Sequence, residues 1–586
     1  MRNITIIRRS FLSVSVMATI LSSMGLCWQS NLDCQYGKWL ACAIVFFATF
    51  IALLGDKINE NKCLCFLIFI LIGCLISDIH ANSVSLSNLT WGYALLSFFV
   101  LCQGITRKGW IGIVMTCNLI VLALIILQAI GVYMPFQLQL FDNPAGKASA
   151  LVMGVCCILP NVSFNNLGKQ RLPIIIMVLF ACVVLLSGIL LYHCSRTGFI
   201  ALCLSISIYL ICLVRHKLSR WQWMLIAIAT FLTFSILASQ LYLRNPDSVK
   251  GRFLTYQVNA LMIAEHPWLG WGSNAINAHY MVTQAKFLQT LVHNHIYNTL
   301  AGDIVRPFNE VLNWVMCYGI INLMLVIVSF FCIWKSLTSF QKVKTLPAIA
   351  AWFTLGISSY PSYYPYACFL LAGSFGNIFH SETGSLRIQN IARYKKYIIL
   401  AVLLICTLIA SMQVYKANAK DAWMGKNTAE DEFHPSIDTN SLPPCLTDDI
   451  DVLYTLSVNL NLEGEPQKSQ EVLDKLKGHL QNYDTELLAG DNALSLHQWD
   501  AAEKHFLLAH HMVPARFMPL YGQMQVYLVH GGFMPLYGQM QVYLVHGDLL
   551  RARSVALKIT RKKAKIDSED IHDIKAKARK VLKAGD

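Results

Sequence analysis

The chain has 586 residues, of which 55% are hydrophobic and 14% charged. That is too apolar for a soluble enzyme and too long for one domain. Its formal net charge of +14 would suit a nucleic-acid partner, but most Lys and Arg sit in short loops between apolar runs, where they fix topology, or in the tail, so no nucleic-acid partner is expected.

Taken in chain order, apolar runs predict membrane spans at 11–27, 39–54, 63–77, 91–105, 110–132, 148–160, 173–192, 198–214, 222–242, 311–334, 345–359, 362–379 and 397–414. The fold class is therefore all-α: a polytopic membrane domain of about 12–14 spans, followed by a soluble helical domain. Residues 1–242 carry nine spans, 243–310 form one long loop, 311–414 carry four spans, and 415–586 are soluble. Arg8 and Arg9 hold the N-terminus in the cytoplasm. Alternate loops are then cytoplasmic, and they hold Lys57, Lys62, Arg107, Lys108, Lys169, Arg171, Arg215, Lys217, Arg220, Lys342, Lys344, Arg387, Arg393, Lys395 and Lys396. The short outer loops hold only Lys38, Lys147 and Arg196. Most of the 19 cysteines lie inside apolar runs, where Cys serves as a small hydrophobe. No Cys-x-x-Cys pair stands in a polar context, so no metal site is expected.

With that sidedness, the unusual polar stretches share one membrane depth on the outer face. They are LFDNPAGKAS (140–149), YHCSRTGF (192–199), the long loop 243–310 and SSYPSYYPY (358–366). Independent loops have no reason to do so unless they build one site. Arg196 opens a span and Arg252 opens an amphipathic stretch of the long loop. Guanidinium groups there suit an anionic group carried on a lipid, because Arg grips phosphate bidentately and keeps its charge; the alternative for Arg196 is simple snorkelling at a helix end. Asn309 and Glu310 stand at the mouth of the span 311–334. An ionisable group in that place is a functional hypothesis by default. Partial burial would tune Glu310 toward general-base work, while capping of the following helix is its structural alternative. His293 and His295 flank Asn294 in the same loop, and Arg306 precedes the Asn-Glu pair.

The order Asp-Asn-Pro-Ala-Gly (142–146), Ser-Arg-Thr-Gly (195–198), Arg252, HPWLGWG (266–272), FNEVLNWVMCYGIINLML (308–325) and SYP (359–361) resembles the bacterial O-antigen ligase and O-linked oligosaccharyltransferase superfamily. The resemblance implies a glycosyltransferase-C-like, metal-independent, inverting enzyme that needs no cofactor. It implies a donor glycan on undecaprenyl pyrophosphate and an acceptor hydroxyl, either protein Ser/Thr or the lipid A core, with membrane lipid around both. By position, Arg196 and Arg252 match the arginines expected to hold the diphosphate, and Asn309 and Glu310 match residues following the family histidine. Phe308 stands at that histidine's place, so Glu310, His293 or His295 must take its role, or the site is inactive. Tyr360, Asn143 and Arg306 are the expected substrate-positioning residues. The implied location is the bacterial inner membrane, with the C-terminal domain in the periplasm.

In the tail, Gly490, Ala502, Phe506, Ala509 and Pro514 fall at tetratricopeptide spacing, and such repeats offer a surface for a protein partner. FMPLYGQMQVYLVHG occurs twice without a difference, at 517–531 and 533–547. The basic run Arg561, Lys562, Lys563 and Lys565 reads as a solvated helix face. The expected function is transfer of a lipid-linked glycan to a hydroxyl acceptor, with a leaning to protein acceptors from the repeat tail. The alternatives are a polymerase of the same superfamily, a transporter of the lipid-linked glycan, or an inactive scaffold.

Overall fold

The structure is a computed structural model and describes residues 2–24, 26–27, 36–54, 62–131, 137–138, 144–161, 181–191, 195–214, single positions between 219 and 239, 246–291, 295–304, 306–379, 393–427, 442–530, 533–545, 547–561 and 569–583. Its fold is all-α. Among the described residues the only strand pairing joins Leu26–Cys27 to Gln137–Leu138, antiparallel. The chain divides into two compact units.

The first unit comprises Met1–Pro246, Ile263–Ser273 and Pro307–Lys426. Its helices are α1 (Arg2–Ser22), α2 (Tyr36–Leu54), α3 (Lys62–His80), α4 (Leu86–Gln103), α5 (Arg107–Ala129) and α6 (Pro144–Ile158). They continue with α7 (Ala181–Leu191) and α8 (Arg196–Val214). Among the described residues four helical segments, Tyr36–Leu53, Arg107–Ala129, Glu310–Ser336 and Tyr397–Met424, are long and apolar enough to cross a membrane, and several shorter apolar helices accompany them. The predicted span 222–242 falls almost wholly outside the described residues.

Local chemistry sets the helix starts. Ser85 and Thr106 each accept a backbone N–H three residues on with their hydroxyls, which satisfies a donor that the first turn would otherwise orphan. Helix α6 is buried along nearly its whole length, from Gly146 through Ile158, as befits a helix enclosed on all sides. It packs against α5 and α8. Phe98 and Trp91 meet Phe369 edge-on at 4.9 and 5.3 Å. Cys42, Cys102, Cys117, Cys156, Cys157 and Cys368 are buried among these side chains, in the role expected of them.

The second unit comprises Asp247–Met262, Asn274–Arg306 and Asn427–Asp586. Most of α9 (Pro246–Glu265) belongs to it, then a π-turn at Ile276–Tyr280, α10 (Met281–Thr290) and α11 (His295–Leu300). Between the two stretches of loop and tail, the first unit supplies α12 (Glu310–Ser336), α13 (Ser339–Ser358), α14 (Pro365–Ile378) and α15 (Arg393–Asn427). The tail helices are α16 (Ile450–Leu462), α17 (Pro466–Lys475), α18 (Tyr483–Ser495), α19 (Trp499–Met512), α20 (Met518–His530), α21 (Phe533–Val545), α22 (Leu549–Arg561) and α23 (Glu569–Lys583). Each packs against the next. Phe506 of α19 fills the space above Gly490 of α18 and Gly522 of α20, where any Cβ would collide with its ring. The two identical segments meet different neighbours. Val526 of the first joins the core around Phe506, whereas Met540 of the second joins Val555, Ala556, Ile559, Ile574 and Ala578.

Candidate functional site

Four sequence-distant stretches of the first unit come together at one end of its helices. Ser195 caps α8: its hydroxyl accepts from the Gly198 N–H at 3.2 Å and its carbonyl from the Phe199 N–H at 3.0 Å. This fixes Arg196 as the first helical residue, half-buried. Thr197 Oγ1 lies 2.9 Å from Ser358 Oγ at the last residue of α13, and α8 and α13 pack along one another. Gly198 lets this turn approach α6, since a Cβ there would stand 2.7 Å from that of Ala148.

Asn309 caps α12. Its Oδ1 accepts from the Leu312 N–H at 3.0 Å, and its Nδ2 donates to the Ile357 carbonyl at 3.2 Å. Capping is thus the work of Asn309, not of the acid beside it. Glu310 reaches across instead: its Oε1 accepts from the Ser362 N–H at 2.8 Å. Its Cβ and Cγ lie so close to Gly356 that a Cβ there would come within 3.2 Å. The turn that holds Ser362, Pro361–Tyr363, packs on α6. Tyr360 precedes the turn, stacks on Tyr364 at 6.0 Å and meets Phe308 at 5.8 Å. The Phe308 ring is therefore packed against the tyrosine of the Tyr-Pro turn.

Behind this end α12 is broken. The predicted span 311–334 is not one unbroken helix, because Gly319 has φ 76° and ψ 174°. The HPWLGWG segment fills the gap. Trp271 N–H donates to the Met316 carbonyl and Gly272 N–H to that of Cys317, at 2.9 and 2.8 Å. In return, the N–H groups of Ile320 and Ile321 donate to the carbonyls of Pro267 and Trp268, at 2.8 and 3.3 Å. These bonds supply what the helix loses at the break, as apolar surroundings demand. A Cβ on Gly319 would collide with Trp268, and one on Gly270 with Cys317; both glycines have positive φ. Asp78, buried at the end of α3, fixes the segment's far end: its Oδ1 accepts from the Ser273 N–H at 2.7 Å and the Ser83 hydroxyl at 3.3 Å.

Residues 181–328 match the family model of O-antigen ligase. The matched stretch holds the Ser-Arg-Thr-Gly turn, HPWLGWG, the Asn309–Glu310 pair and the break at Gly319. It supports the superfamily and, with it, glycosyl transfer at a membrane. Among curated proteins none matches the chain.

Of the residues expected at the site, Arg196, Asn309, Glu310 and Tyr360 stand together in the first unit. Arg252, on α9, His295, which opens α11, and Arg306 belong to the second unit. Asn143 and His293 lie outside the described residues, as does the His295 side chain. Sequence reasoning missed Asp78 and the glycine interlock. The available signals were a carboxylate at the end of an apolar run, and glycines at 270, 272 and 319 in segments otherwise rich in bulky residues.

Proposed function

We propose that the chain moves a glycan from undecaprenyl pyrophosphate to an acceptor hydroxyl on the periplasmic face of the bacterial inner membrane. The observation that carries this reading is the placement of Glu310. Its carboxylate opens a helix, is aimed by the Ser362 N–H, and stands at the end of the unit that also bears Arg196.

In the proposed step the acceptor oxygen attacks the anomeric carbon from the face opposite the pyrophosphate. The bond from that carbon to the pyrophosphate oxygen breaks, the hydroxyl proton passes to Glu310, and the lipid-bound pyrophosphate departs. Arg196, at the N-terminal end of α8, offers its guanidinium and the helix's positive end to the charge that grows on the leaving group. Tyr360, seated between Phe308 and Tyr364, gives a flat wall against which a sugar ring can be placed. Arg252, Asn143 and Arg306 keep the diphosphate-holding and substrate-positioning roles proposed from the sequence, and His293 and His295 are the alternatives to Glu310 as base.

The rival of another class is a transporter, and the broken helix favours it, because carriers bind their cargo at discontinuous helices. Here the backbone of 267–272 occupies the break, which leaves the opened peptide groups engaged and speaks for the enzyme. The decisive experiment measures transfer in membranes that hold lipid-linked donor. Glu310→Gln keeps an acceptor for Ser362 and loses the base, so transfer should fall at least a hundredfold while donor persists on the outer leaflet. Wild-type transfer by this variant would refute the assignment, and failure of donor to reach the outer leaflet would favour transport.

A further inference from the structure

We propose that the helical tail is a clamp for the chain's own loop, so that the face formed by α17–α19 is occupied by residues 274–306 and is not a receptor for an acceptor protein. All of the contacts concerned lie within the second unit.

Helix α10 has ten residues, too few to hold a helix in water unaided. Ala278, Met281, Ala285 and Leu288 are each at most 5% exposed and form one stripe at helical spacing. The helix packs against α19, so its order comes from docking on the tail. Polar bonds then fix the register along the whole segment. At the near end, Asn274 Nδ2 donates to the His479 carbonyl and the Gln481 N–H donates to the Asn277 carbonyl, both at 2.8 Å. At the far end, Gln289 Nε2 lies 2.7 Å from His511 Nδ1.

Gln284 ties the arrangement together. Its side chain is fully buried, and its amide nitrogen donates to the Met512 carbonyl of the tail at 2.8 Å and to the Gly302 carbonyl of the loop's return leg at 3.0 Å. One amide thus holds the outgoing helix, the return leg of the loop and the end of α19. Beyond it, Asp303 lies within electrostatic reach of Asp484 and Arg516, which themselves pair at 3.7 Å. Burial, then the neighbouring Asp484, pushes the Asp303 carboxyl up, and Arg516 opposes this.

The segment so held leaves the first unit at Ser273 and re-enters it at Pro307, three residues before Glu310. The tail therefore has a task inside the chain: it gives fixed form to the loop that leads into the proposed base. That consequence for transfer rests on the function proposed above; the docking itself does not.

The test uses the full chain, with a protease site placed between Asn427 and Leu442. After cleavage and washing, the tail of the parent protein should stay with the membranes. Gln284→Ala should release part of it, and Met281→Asp with Ala285→Asp should release at least tenfold more than the parent does. Since these substitutions lie in the loop, the tail's own fold is untouched, which circular dichroism of the released fragment verifies. Release of the parent tail on cleavage, or full retention by the double variant, would overturn the clamp. Neither readout depends on glycan transfer, so failure here and failure of the enzymatic reading are separable.

Discussion

Gly319 and Trp268 are in van der Waals contact through their backbones, and no side chain heavier than hydrogen fits at Gly319. Its φ of 76° compounds the restriction, since an L residue there is strained by about 1–3 kcal/mol before any clash is counted. Gly319→Ala should therefore lower the melting temperature of the detergent-purified protein or abolish its accumulation in membranes. Gly112→Ala, in α5 with open space around it, should be neutral or stabilise by up to about 1 kcal/mol. Equal behaviour of the two variants would mean that the interlock with HPWLGWG contributes nothing.

Asp78 makes a second, graded prediction. Its Oδ1 accepts from Ser273 and Ser83. Asp78→Asn keeps one amide oxygen in place and should be tolerated. Asp78→Ala leaves the Ser273 N–H without its acceptor, a loss of about 1–3 kcal/mol. Thermal unfolding followed by tryptophan fluorescence would rank the three proteins, and an alanine variant as stable as the asparagine one would contradict the account.

Charge alone does not describe what is asked of Arg196. If it binds a diphosphate through its planar fork, Arg196→Lys should lose roughly ten- to a hundredfold in transfer and Arg196→Ala more, because lysine offers a point charge without the paired donors. Full activity of the lysine variant would mean that position 196 supplies only positive potential. Its neighbour gives a control: Thr197→Val removes the 2.9 Å contact to Ser358 and should cost stability, about 1 kcal/mol, more than it costs rate.

Acid should act on the tail through two groups of opposite sense. Burial lowers His510 to about 4, with His511 adding to the effect. Its neutral form therefore stabilises the fold fully above the ordinary histidine value of about 6.5, and this is lost as pH falls through about 4. Burial raises Asp491 to about 6. Its protonated form is the favoured one, so that contribution is present at low pH and disappears as pH rises through about 6. Asp491→Asn should add about 1–2 kcal/mol at pH 7 and nothing at pH 4, read from chemical denaturation of the full chain at the two pH values. His510→Gln should flatten the acid limb between pH 6.5 and 4. A variant whose pH profile parallels the parent's would refute its group's part.

Much of the fold was legible. The apolar runs gave helices at twelve of the thirteen positions, and the thirteenth falls almost wholly outside the described residues. A capped helix start at this place was legible, but the sequence offered Glu310 for it, and Asn309 does the capping. The turns around Arg196, Glu310 and Tyr360 could be grouped because the positive residues order the loops. What stayed hidden is long-range and made of backbone. The break at Gly319 is satisfied by carbonyls some fifty positions earlier, and hydropathy averages straight across a single glycine. Docking of α10 on α19 was equally silent, since both helices read as ordinary amphipathic stripes whose partners the stripe does not name.

The duplicated segment carries one more implication. Gly522 and Val526 of the first copy turn toward Phe506, while Leu536, Tyr537 and Met540 of the second turn toward α22 and α23. In the shared fifteen-letter text these are opposite sides of one helix, so a lone copy already bears both adhesive faces. The second helix is a spacer laid between two half-interfaces that fit each other. Excising 517–532 would let the hairpins close ranks, and a nascent chain must resolve which of two indistinguishable helices reaches Phe506 first.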